Sequence, residues 1–126
     1  MKTLQENSHA PVEEMHAIEL VNNNPDSICY IESDGTGVNV YCELGFRYKL
    51  NRSLQEIEDI LPKEHFIKSG TNFLVNTKKI HELWVSTDPQ LIMSCGNIIP
   101  IPWSIIDKLK TILESKNEQN FKVIQE

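Results

Sequence analysis

Read for the spacing of its apolar residues, the chain changes character at Ser27. Before that point it is polar and ends in "NNNPD", a turn composition. A short helix is expected over Ala10–Val21, with Met15, Ile18, Leu20 and Val21 as its apolar face. After Ser27 apolar residues recur at every second position, the period of a half-buried strand. "SICYIES" sets Ile28, Tyr30 and Glu32 against Cys29 and Ile31. "DGTG" turns the chain, and "VNVYCEL" sets Val38, Val40, Cys42 and Leu44 against Asn39, Tyr41 and Glu43. Gly45 turns it again. "FRYKL" sets Phe46, Tyr48 and Leu50 against Arg47 and Lys49, so its two cations leave one face of one strand.

The period then switches. In "SLQEIEDILPK", Ser53 and Glu56 have the spacing of a capping box, and Leu54, Ile57, Ile60 and Leu61 form a one-sided stripe. Pro62 ends that helix. "FIKSGTNFLVNTKKI" follows as two short strands, Phe66–Lys68 and Phe73–Asn76, around Ser69-Gly70-Thr71-Asn72. "IHELWVS", "QLIMSC" and "IIPI" are further strands, with Gly96-Asn97 as a hairpin turn signal. In "SIIDKLKTILES", Ser104 and Asp107 are expected to cap a helix whose apolar face is Ile105, Ile106, Leu109, Ile112 and Leu113. The tail is polar up to "FKVI", which either adds a strand or frays. Together these give a mainly β chain of seven to nine short strands with two amphipathic helices. Strands and helices do not alternate as a doubly wound parallel sheet requires.

Length confines this to one domain, taken as residues 27–115 between a polar extension at 1–26 and a tail at 116–126. The N-terminus has no secretory apolar core, and no apolar run approaches the roughly 18 residues of a membrane span. A cytoplasmic protein away from membranes is expected. Cys29, Cys42 and Cys95 are scattered through apolar runs, which suits buried, reduced thiols better than disulfides or a zinc site. His9, His16, His65 and His81 lack metal-ligand spacing, and neither a phosphate loop nor a nucleophile elbow occurs. No enzyme activity and no cofactor are expected.

Charge redirects the search towards binding. The net charge of −6 disfavours a nucleic-acid partner. Its distribution does not: residues 35–80 carry seven bases and five acids, or +2, and the remainder five bases and thirteen acids, or −8. From Phe66 to Ile80, Lys68, Lys78 and Lys79 flank a polar loop with no acid among them. Hydroxyls, an amide and cations in that arrangement suit phosphates and base edges.

The order of these landmarks resembles the LytTR family of bacterial DNA-binding domains. The matching residues are "YIE" (Tyr30–Glu32), "SLQEIEDIL", Phe66, "LVN" (Leu74–Asn76), the Gly96-Asn97 turn and Ile99-Pro100 before a last helix, spanning about Ser27 to Leu113. The resemblance implies an elongated fold of mostly antiparallel β-sheets that reads duplex DNA with loops. It also implies a bacterial transcription regulator of the kind often joined to a receiver domain, for which residues 1–26 are too short. Gly70, Thr71 and Asn72 stand where the family pattern has His, Arg and Ser, and Pro102 and Trp103 where it has Ser and Arg, so two usual cations are replaced. On this resemblance Lys68, Thr71 and Asn72 would enter one major groove, Trp103 and Ser104 would approach the next, and Arg52 and Lys78 would hold phosphates. A homodimer or a partner protein stays open. The alternative is a protein-interaction module that kept the fold and lost DNA, with Trp103 as its contact.

Overall fold

Four consecutive residues, Ile28–Ile31, are buried, and a strand achieves this only when both its faces are covered. The computed structural model, which describes residues 3–5, 11–115 and 122–125, shows what covers them. Strands β1 (Ile28–Ser33), β2 (Val38–Cys42), β3 (Arg47–Leu50), β4 (Phe66–Ser69) and β5 (Phe73–Asn76) form an antiparallel sheet in the order β3-β2-β1-β5-β4. Strands β6 (Ile80–Val85), β7 (Gln90–Met93), β8 (Ile98–Pro100) and β9 (Lys122–Gln125) form a second sheet, β8-β7-β6-β9, in which only β9 runs parallel to its neighbour. Helices are α1 (Val12–Asn23), α2 (Leu54–Ile60) and α3 (Ile106–Ser115). One face of the first sheet forms a core with α1 and α2, and the other forms a core with the second sheet and α3.

Several local expectations need correction. The alternation across β1 breaks because the pairing with β2 shifts between Ile28 and Tyr30. That bulge puts Ile28 and Ile31 in the first core, and Cys29 and Tyr30 in the second. Leu44 is not a strand residue: β2 stops at Cys42, whose N–H donates to the Phe46 carbonyl at 2.8 Å across a three-residue loop. There Leu44 has φ +68° and is 91% exposed. Ser104 does not cap a helix. A 3-10 turn over Trp103–Ile105 follows Pro102, α3 begins only at Ile106, and Ser104 lies exposed inside the turn. Met15 is exposed, and Ala17 joins Ile18 and Val21 as the buried face of α1. That helix is therefore part of the first core. Ala10 and Phe121 lie outside the described residues.

The α2 capping box forms as expected, the Glu56 N–H donating to Ser53 Oγ at 3.2 Å. Of the two outcomes left open for the tail, a strand forms: β9, Lys122–Gln125. A polar joint fixes the sheets against each other. Asn97 Nδ2, in the β7–β8 turn, donates to the Tyr30 hydroxyl at 2.8 Å, and the Tyr30 and Tyr41 rings stack with centroids 4.4 Å apart. Cys29 Sγ is 3.7 Å from Ser94 Oγ. Burial, with a contact to Cys95, pushes the Cys29 thiol up to about 12, and burial also raises Tyr30 and Cys42. All three cysteines are free thiols; Cys95 is only partly buried, unlike the other two.

Candidate nucleic-acid interface

The strand register decides which polar loops meet. Ser33 pairs with Val38, Val38 with Leu50, Glu32 with Phe73, and Ser69 with Phe73. The β1–β2 turn, the β3–α2 link and the β4–β5 turn therefore share one end of the first sheet. The Ser33 N–H donates to the Asn72 carbonyl at 2.8 Å, joining the first turn to the third. Gly70, at φ +65°, supplies the left-handed step of the third, and Thr71 Oγ1 lies 3.4 Å from Asn72 Oδ1. Ser69 Oγ donates to the Pro100 carbonyl at 3.5 Å, bringing the end of β8 from the other sheet alongside. Trp103, 58% exposed, and the exposed Ser104 follow directly.

The β1–β2 turn is built around a neutralised anion. Asp34 Oδ1 accepts from the Thr36 N–H at 2.9 Å, the Thr36 hydroxyl at 2.7 Å and the Gly37 N–H at 3.2 Å, while Oδ2 is ion-paired with Lys49. The Lys49 bond, then those from Thr36, hold the Asp34 carboxyl well below its ordinary range. A carboxyl shifted down contributes stability above its unfolded pKa and loses it only as pH falls through the lower folded value. The turn is therefore intact at neutral pH. Gly37 is required here because a Cβ would lie 2.6 Å from the Leu50 carbonyl oxygen.

The cations divide by whether an acid holds them. Lys49 pairs with Asp34, Arg52 with Glu56 at 3.6 Å, Lys78 with Asp26 at 3.5 Å, and Lys79 with Glu43. Arg47, Lys63, Lys68 and Lys108 have no such pair among the described residues. Three of these four, Lys63, Lys68 and Lys108, line one groove of about 250 Å³ with Phe66 and Ile105, between the β4 edge and α3; Glu58 is its one acid. Arg52 sits at the turn end of the sheet, beside Gly35 and Thr36. Lys78 lies past the far end of β5, where Asn76 bonds back to Ile28. Of the seven residues singled out from the sequence, Lys68, Thr71, Asn72, Trp103, Ser104 and Arg52 thus lie at or beside one end, and Lys78 at the other. Lys63 and Lys108 were not singled out; Lys49, which the sequence offers with Arg47 and Arg52 as a candidate contact to the DNA backbone, is held by Asp34. Lys63 and Lys108 are 45 positions apart, and no local pattern connects them.

The family model of the LytTr DNA-binding domain matches residues 19–114. The chain belongs to the LytTR family of DNA-binding domains. It is 34% identical over 65 residues to the sensory transduction protein LytT of Enterococcus faecalis, a match covering 50% of this chain and 27% of that protein. It superposes with a TM-score of 0.61 and 28% identity on a Bacillus cereus chain described as the LytTr DNA-binding domain of a methyl-accepting/DNA response regulator. That superposition covers 70% of this chain and 82% of the other. The match of the LytTR model starts within α1, consistent with the place of that helix in the core. Among the described residues of this LytTR domain, no helix is long and apolar enough to cross a membrane, and no group of three or more His, Cys, Asp or Glu is placed to hold a metal.

Proposed function

We propose that this LytTR domain binds duplex DNA sequence-specifically as a transcription regulator, with its turns in the major groove. Thr71 and Asn72 meet base edges, with Lys68 beside them. Trp103 and Ser104 approach the neighbouring groove. Arg52, Lys63, Lys68 and Lys108 hold phosphates, Lys68 at the edge of the groove that Thr71 and Asn72 enter, and these contacts position the duplex without reading it. Lys78, ion-paired at the far end, takes no part. The observation that carries this reading is the convergence on one groove, beside hydrogen-bonded polar turns, of three lysines with no acidic partner among the described residues, in a chain of net charge −6. A local field of that kind attracts a polyanion even on an acidic protein.

The test is fluorescence anisotropy on duplexes selected from a random pool, with salt as the variable. About four phosphate contacts give a log–log slope of roughly −3 to −4. Failure of every selected duplex to bind in a salt-dependent way overturns the proposal.

A further inference from the structure

Residues 3–5 lie on the protein outside any helix or strand, and their contacts resemble those of a bound peptide. Leu4 is 5% exposed and belongs to the first core, whereas Thr3 and Gln5 are exposed. Asn22, on α1, reads the backbone of Leu4 from both sides: its Oδ1 accepts from the Leu4 N–H at 2.8 Å and its Nδ2 donates to the Leu4 carbonyl at 3.1 Å. One amide thus does for this residue what a neighbouring strand does in a sheet. The next carbonyl, that of Gln5, accepts from Arg52 Nη2.

We propose that the surface formed by Asn22 of α1 with Arg52 and the Glu56, Asp59 and Ile60 side of α2 is a docking site for a leucine-bearing peptide, filled in cis by Thr3–Gln5, and that undocking this segment releases Arg52 for a DNA phosphate. The second half rests on the assignment of Arg52 to the DNA interface. Among the described residues, one leucine and three hydrogen bonds hold the segment against the entropy of ordering it, a balance that a competing ligand can tip. With the segment docked, Arg52 is held by Gln5 and Glu56 together. With it undocked, the pair with the exposed Glu56 remains among the described residues, and ion pairs open to solvent are weak. A phosphate is a stronger acceptor for a guanidinium than a neutral carbonyl. Segment and DNA therefore compete for one side chain. Linkage requires DNA to loosen the segment by the same factor by which the segment weakens DNA binding.

The test uses the full chain. Amide exchange at Leu4 should be protected in the free protein and faster when DNA saturates it. Leu4→Ser and, separately, Asn22→Ala should each raise DNA affinity about five-fold, and adding Arg52→Gln to either should abolish the gain. Amide exchange in β1 shows that each variant is folded. Leu4 exchanging as fast as a free peptide overturns the docking site. Unchanged affinity in both folded variants, or protection at Leu4 that persists under saturating DNA, overturns the competition while wild-type binding stands. Loss of all wild-type binding instead removes the DNA reading, and the competition with it, and leaves the docking site to be judged by exchange alone.

Discussion

Replacing Lys63, Lys68 and Lys108 together by alanine lowers affinity for duplex DNA by about 10²–10³-fold at 0.1 M salt. The estimate follows from counterion release. Each neutralised phosphate contributes about 0.9 to the log–log slope, so three lost contacts flatten it by about 2.7 and the deficit nearly disappears towards 1 M. All three side chains line the groove beside β4 and, among the described residues, have no acidic partner. Removing exposed, unpaired lysines leaves folding within about 0.5 kcal/mol of wild type. Arg47→Ala is the control, since Arg47 is also unpaired but starts β3 at the opposite end of the sheet. Anisotropy titrations at several salt concentrations make the comparison. An equal loss in Arg47→Ala would mean that overall charge, not this groove, sets the affinity.

Asn76→Ala destabilises the fold by about 3 kcal/mol. Asn76 is fully buried, and its amide links two elements. Its Nδ2 donates to the Ile28 carbonyl at 2.9 Å, and its Oδ1 accepts from the Lys78 N–H at 3.0 Å. Truncation strands the Ile28 carbonyl at the start of β1 and the Lys78 N–H in the turn after β5, each costing about 1–3 kcal/mol when buried, or about 2–6 kcal/mol together. Water reaching the exposed Lys78 side keeps the total in the lower half of that sum, at about 3 kcal/mol. Urea unfolding of the variant and wild type measures the change, and a loss below about 1 kcal/mol would show that both groups find other partners.

Much of the fold could be read from the sequence because its signals are local. The capping box at Ser53 and Glu56 and the stripe along α3 each depend on residues a few positions apart, and both are as expected. Departures came where distant segments decide. Nothing near Cys29 announces the bulge, which answers the need to cover both faces of β1. Ser104 has the composition of a cap, but Pro102 and the following 3-10 turn move the helix start past it. The candidate interface divides in the same way. Lys68, Thr71 and Asn72 adjoin one turn and were visible as a polar, acid-free stretch. Lys63 and Lys108 belong with them only because α2, β4 and α3 converge. Lys78 resembles Lys68 in sequence, yet it lies beyond the other end of β5, where Asp26 holds it.

The central claim is that the turns at one end of the first sheet and the start of α3 meet one duplex together. Backbone amide shifts, followed by NMR as a selected duplex is added, address it directly. The largest shifts are expected at Gly35–Gly37, Ser69–Asn72 and Trp103–Ile105, with Glu43–Arg47 and Lys78 unmoved. Shifts concentrated at Glu43–Arg47, or absent from either the β4–β5 turn or the Trp103 turn, would contradict the claim.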